Sequence, residues 1–172
     1  MSNSRIETDR LILRTIDPER DLDAWADAMA DEETVKYIGG QTMDRAQSWR
    51  NMAMVMGHWQ IRGYGFFSVE EKSTGDWVGR VGPWNPEGWP QPEIGWTIAR
   101  PHWGKGYASE AATASLTYVR DVLRWESVIH AILDGNDASA SVAKKIGSTK
   151  IREQQGLGGV TDGLVWIYGQ TF

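Results

Sequence analysis

The chain has 172 residues, no cysteine and a net charge of −5. Its length is that of one compact domain spanning residues 1–172, and the missing cysteines exclude disulfides, thiolate metal sites and an acyl-cysteine intermediate. The acidic balance opposes a nucleic-acid surface, and the polar start MSNSRIETDR, with no apolar run of membrane length, leads us to expect a cytoplasmic protein without nucleic-acid or membrane partners.

In chain order, Leu11, Leu13 and Thr15 alternate with Ile12, Arg14 and Ile16, which predicts a strand from Arg10 to Ile16. Asp17 and Pro18 stop it and open a helix, where Leu22, Trp25, Ala26 and Met29 recur at helical spacing up to Ala30. After Gly39 and Gly40, Thr42 is the expected cap of a second helix, in which Trp49, Met52, Met56 and Trp59 return about once per turn before Gly63. Phe66 to Lys72 and Trp77 to Val81 then form a hairpin through Ser73-Thr74-Gly75-Asp76.

The Pro/Gly-rich stretch from Pro83 to Pro92 reads as a loop whose Trp84 and Trp89 either wall an acceptor site or pack onto the core. Glu93 to Ala99 is a further strand. It is followed by a helix from Ala108 to Arg124 with an Ala112, Leu116, Val119 and Leu123 stripe, and by a strand from Val128 to Leu133. These three elements make one βαβ unit. A helix from about Ala138 to Ile146 ends at Gly147, before strands near Thr149 to Gln154 and Leu164 to Gln170. The result is a mixed α/β fold without repeats or a linker.

The segment Trp103-Gly104-Lys105-Gly106-Tyr107-Ala108 lies between a strand and a helix start. Glycine there permits φ > 0 and close backbone approach to phosphate, while the free N–H groups of the next helix supply donors and partial positive charge. Arg100, His102 and Lys105 add positive character. The segment also approaches a dinucleotide fingerprint, with Glu126 20 residues beyond Gly106, but the third glycine is absent and the motif follows a hairpin instead of opening the fold. A Walker A loop fails because no Ser or Thr follows Gly104-Lys105. His58, His102 and His130 show no metal-ligand spacing, so no metal is expected.

EIGWTIARPHWGKGYASEA, followed by a helix, a strand and GNDASASVAKKIG, resembles the GNAT superfamily of acyl-CoA-dependent N-acetyltransferases, and the opening ETDRLILRT resembles its RimJ/RimL-like branch. The resemblance implies a GNAT-like, mostly antiparallel sheet with a central βαβ acyl-CoA-binding unit flanked by helices. It implies acetyl-CoA as co-substrate and a primary amine, on a protein N-terminus or a small molecule, as acceptor. The superfamily loop Q/R-x-x-G-x-G/A is matched by Gly106 and Ala108, whereas Trp103 stands where Gln or Arg is usual. By the same resemblance Trp96, Thr97 and Ile98 offer their backbone to the pantetheine arm, Asn136 faces the cofactor, and Lys144 and Lys145 lie near the adenosine phosphates.

Ala143 occupies the position where many family members carry a tyrosine that protonates the leaving thiolate, and Ser139 resembles the serine assigned that role in the RimL-like branch. Glu93, at the start of the strand beside the acetyl group, is the candidate base for the incoming ammonium. Tyr107 and Tyr168 are weaker acid-base candidates. With no cysteine to carry the acyl group, the expected reaction is direct attack in a ternary complex. Two other classes stay open on residues alone: a nicotinamide- or flavin-binding oxidoreductase, and a CoA-binding sensor without activity. An exposed final strand or the tryptophan-rich surface makes a homodimer reasonable.

Overall fold

The computed structural model describes residues 4–172. In chain order the elements are β1 (Arg5–Glu7), β2 (Leu11–Arg14), α1 (Pro18–Ala30), α2 (Glu32–Val35), α3 (Arg45–Arg62), β3 (Phe67–Glu71), β4 (Trp77–Trp84) and β5 (Glu93–Ile98). A 3-10 turn at Arg100–His102 leads to α4 (Tyr107–Asp121), β6 (Ser127–Leu133), α5 (Asp137–Lys145), β7 (Thr149–Leu157) and β8 (Thr161–Thr171).

The strands form one sheet in the order β1-β2-β3-β4-β5-β6-β8-β7. Neighbours are antiparallel except β5 and β6, which α4 joins as the expected parallel crossover. Alternation along each strand divides the core between the two faces. Val78, Val81 and Ile94 pack with Ala111, Ala112 and Val119 of α4. Trp77 and Trp84, on the other face, pack with Trp25 and Met29 of α1 and Met52 and Val55 of α3. None of the described helices is long and apolar enough to cross a membrane.

Helix starts follow capping chemistry, with one correction. Asp17 caps α1 and Asp31 caps α2. The cap of α3 is Asp44, not Thr42: Asp44 Oδ1 accepts from Gln47 N–H at 2.7 Å while Gln47 Oε1 accepts from Asp44 N–H at 2.8 Å. This reciprocal pair satisfies two otherwise orphaned donors, and the D-x-x-Q spacing that makes it is present in the sequence. Gly63, at φ 78°, ends α3.

The stretch expected as a loop from Pro83 begins two residues late, because β4 continues through Pro83 and Trp84, opposite Ile94 and Glu93 of β5. The last β3–β4 pair is Phe67↔Val81, so Pro83 has a ladder partner on one side only and its missing N–H breaks nothing. β1 and α2 were not expected; at three and four residues they are too short to show a period. β7 and β8 run beyond their expected ends, and the outer strand β7 is polar on both faces, which hides its alternation.

Candidate active site

β5 and β6 share one register pair, Glu93↔Ile129. Ile129 N–H still donates to Pro92 O at 3.0 Å, after which the strands diverge. Buried backbone groups need partners, and here side chains replace the missing ladder. Ala131 N–H donates to Glu93 Oε1 at 3.2 Å, and Ile94 O accepts from His130 Nδ1 at 2.7 Å. At the far end Ile98 O accepts from Trp103 Nε1 at 2.6 Å. Between these closed points, the edge of β5 over Gly95 to Thr97 that faces β6 has no strand partner.

His130 is 1% exposed, and burial pushes its pKa down to about 4. A carbonyl only accepts, so Nδ1 carries the proton and Nε2 accepts from Ser148 Oγ at 2.9 Å. This neutral imidazole pins the two diverging strands. Glu93 sits at the apex and is 6% exposed. Its Oε2 accepts from Trp89 Nε1 at 2.5 Å. Burial raises its pKa to about 7 against the lowering effect of the Trp89 and Ala131 donors. A carboxyl group poised near neutrality, with its ionised form already oriented by two donors, is suited to accepting a proton.

Ser139 lies in the first turn of α5, and its Oγ accepts from Trp96 Nε1 at 3.2 Å. The serine hydrogen is therefore left to be donated elsewhere. Trp96 also packs against His130, ring centroids 5.0 Å apart, so the pinned strand edge and the serine are linked through one indole. Asn136 caps α5, its Oδ1 accepting from Ser139 N–H at 3.1 Å, so the helix start fixes the orientation of this side chain. Lys144 and Lys145 are both exposed on α5.

The glycine loop turns through Gly104 at φ 75° and Gly106 at φ 80°. Nothing stands within 4 Å of a Cβ placed on Gly104. Gly106 is the cap position of α4, which has no side-chain cap, unlike α1, α2, α3 and α5. The first-turn amides of α4 thus remain available to an anion. The loop is held from the N-terminal segment. Arg10 Nη1 donates to Lys105 O at 2.9 Å, and Glu110 on α4 receives Thr8 Oγ1 at 2.6 Å and Arg10 Nε at 2.7 Å.

The surrounding charges are partly compensated, because Arg100 pairs with Asp31 at 2.9 Å and Lys105 with Glu71 at 3.9 Å. His102 is driven toward its neutral form, chiefly by burial. Trp103 is half-exposed beside the loop, whereas the Tyr107 ring is turned into the core, leaving the loop only its backbone. A bond to Glu71 raises the Tyr107 hydroxyl pKa. Tyr168 is buried.

Trp84 is also buried, its ring stacked on His58 at 4.3 Å and on Phe66 at 5.0 Å. Trp89, bonded to Glu93, remains beside the site. Sequence reasoning missed Tyr37, whose hydroxyl donates to Gly135 O at 3.0 Å and so straps the α2 region to the turn before α5. No local pattern signals that contact.

A splayed parallel strand pair, an open backbone edge and an uncapped helix behind a glycine turn are the features expected from the resemblance to acyl-CoA-dependent acetyltransferases. The comparisons agree. The model of the acetyltransferase (GNAT) domain family matches residues 10–149, and the chain belongs to that family. The uncharacterized protein YkkB of Bacillus subtilis is 33% identical over 154 residues, covering 85% of this chain and 86% of its own. An acetyltransferase from Agrobacterium tumefaciens superposes with TM-score 0.84 at 27% identity, covering 100% of this chain and 96% of its own. RimL, a ribosomal L7/L12 alpha-N-protein acetyltransferase solved with coenzyme A, superposes with TM-score 0.80 over 98% of each chain. At 16% identity it shares the fold alone. Neither the oxidoreductase nor the inactive-sensor alternative finds support among these relatives.

Proposed function

We propose that this acetyltransferase moves the acetyl group of acetyl-CoA to a primary amine by direct attack in a ternary complex. The observation that carries this reading is Glu93: a buried carboxyl with a pKa of about 7, at the apex of an open strand edge. The pyrophosphate would lie on the amides of Gly104 to Ala108, and the pantetheine arm along Trp96, Thr97 and Ile98. Glu93 takes a proton from the ammonium, and the freed lone pair attacks the thioester carbonyl held by the open β5 amides. The C–N bond forms and the C–S bond breaks as Ser139 Oγ gives its proton to the thiolate; the second proton of the attacking nitrogen passes through solvent to restore the Ser139 hydroxyl, leaving a neutral amide, a free thiol and one proton on Glu93. Trp89 walls the acceptor side above Glu93.

The RimJ/RimL-like opening supports a place in that branch, since its Thr8 and Arg10 are the residues that grip Glu110 and the loop carbonyl of Lys105. A cytoplasmic location and a homodimer belong to the same reading. The test is free-thiol release from acetyl-CoA against a panel of amines and N-terminal peptides, alongside thermal denaturation. Acetyl-CoA at about 100 times its Kd adds roughly 2.7 kcal/mol, a rise in Tm of several degrees for a chain of this size. Stabilisation by CoA without thiol release on any amine overturns the reading.

A further inference from the structure

Among the described residues, Arg80 is a cation without an acid partner. It stands on β4 opposite Thr97 of β5, within the segment assigned above to the pantetheine arm. None of the ion pairs among the described residues involves it. Its Nε is sealed from solvent and has no hydrogen-bond partner, although the residue as a whole keeps partial exposure. Asp21, the carboxylate bonded by its register neighbour Ser68, is already saturated by the Arg14 fork, Asp17 N–H and Ser68 Oγ. Desolvation with no compensating carboxylate lowers the Arg80 pKa to about 10, so it still carries its charge at neutral pH.

Two aromatic rings hold the guanidinium in place. Its Cζ lies 5.0 Å from the Trp25 ring centroid and 4.9 Å from that of Phe66. Such rings offset part of the burial cost of the charge, but they are no substitute for a hydrogen-bond acceptor in the plane of the guanidinium. What remains is the Nη1/Nη2 end of the donor fork, which suits a carboxylate.

Phe66 also ties Arg80 to the reaction centre. A Cβ at Gly95 would meet the Phe66 ring at 2.9 Å and Glu93 Oε1 at 3.6 Å, so Phe66, Gly95 and Glu93 share the face on which Arg80 stands. A base and an unpaired cation therefore flank one aromatic floor, on the side opposite α4.

We propose that Arg80 is the anion-recognition residue of the acceptor cleft, and that the preferred acceptors are primary amines that also carry a carboxylate. This rests on the acetyl-transfer reading and narrows its substrate class. The amine lies toward Glu93 and the carboxylate toward Arg80, with the intervening chain across Phe66.

The test compares linear ω-amino carboxylates of increasing length with the matching ω-amino amides on the full chain. Free-thiol release should give a kcat/KM for the best carboxylate roughly 10- to 100-fold above its amide, the range for charge-assisted hydrogen bonds. R80M should bring that ratio to within about threefold of unity, and R80K, which keeps the charge but loses the fork, should fall between. A wild-type ratio near one, or a ratio that survives in a folded R80M, overturns the proposal.

A binding arm keeps the outcome independent of turnover. The same pair titrated into protein saturated with CoA, followed by calorimetry, should show tighter binding of the carboxylate by a similar factor, lost in R80M. Equal affinities sink the Arg80 assignment. Selective carboxylate binding without thiol release leaves that assignment standing and sinks acetyl transfer instead. A role for Arg80 limited to packing on Trp25 and Phe66 would lower Tm in R80M without moving either ratio. Should R80M fail to fold, the wild-type ratios and R80K decide.

Discussion

At the residue scale, Glu93 combines two duties that pull against each other. Its carboxylate replaces a strand partner for Ala131 N–H and receives Trp89 Nε1, and it is also the proposed base. Gln keeps one acceptor but sets its amide hydrogens against one of those donors, and it takes up no proton. Glu93→Gln should lower kcat by roughly 10² to 10⁴ near pH 7.5. Wild-type activity should rise with pH through a midpoint near the Glu93 pKa of about 7, whereas the variant, dependent on neutral amine from solution, should keep rising without that midpoint, so that its deficit shrinks toward pH 9. A pH profile from 6 to 9 in both proteins checks this, and equal kcat throughout would reduce Glu93 to a strand-end contact.

Gly106 presents a different constraint. A Cβ there lies 3.5 Å from Arg10 Nη2, an ordinary contact, but the φ of 80° is strained for any other residue. Gly106→Val should therefore cost about 1–2 kcal/mol in stability through backbone strain. It should also weaken acetyl-CoA binding by more than tenfold, as read by calorimetry, because the helix-start amides can no longer take their present positions.

At the element scale, the N-terminal segment acts as a tether for the cofactor loop. Thr8 and Arg10 converge on Glu110, and Arg10 reaches on to Lys105 O, joining the start of β2 to the first turn of α4. Burial alone would raise the Glu110 pKa, yet the Thr8 and Arg10 bonds lower it below the ordinary value. Glu110→Ala should raise the acetyl-CoA Kd about five- to tenfold by freeing the loop, with the acceptor KM little changed. Initial-rate kinetics varying each substrate separates the two. A parallel change in both constants would mean that the tether serves the fold, not the loop. His130 does the corresponding work on the sheet, where its neutral imidazole holds β5 and β6 at their divergence.

At the scale of the whole molecule, buried groups of opposite sign shape the pH dependence of stability. His130 has a folded pKa of about 4 against an ordinary 6.5, so the unfolded chain binds more protons and stability falls as pH drops below 6.5. His58 leans the same way, chiefly through burial. Glu93 is opposite. Its folded pKa of about 7 exceeds the ordinary 4.5, so its contribution is full below pH 4.5 and is lost as pH rises through 7. The two effects partly cancel between pH 5 and 6.5. Glu93→Gln should remove the compensation, so its Tm should fall more steeply than that of the wild type as the pH goes from 6.5 to 5. Parallel Tm curves would show that Glu93 does not carry a raised pKa in the folded state.

The sequence by itself determined the order of elements, the βαβ unit and the glycine loop, because these rest on local periodicity and on backbone freedoms that single residues encode. Asp17 before Pro18, and Gly104 and Gly106 ahead of a helix, are legible without a partner. The short β1 and α2 were not, and neither was the continuation of β4 into Trp84, since Pro83 is tolerable only where one neighbouring strand has ended. Only the tertiary structure showed that β5 and β6 part after one pair, that Glu93 and His130 fill the broken ladder, and that Arg80 lies near Trp25 and Phe66 with no acid paired to it among the described residues. Those features depend on residues up to 55 positions apart in the chain, and their physical content is burial and pairing, which no local spacing records.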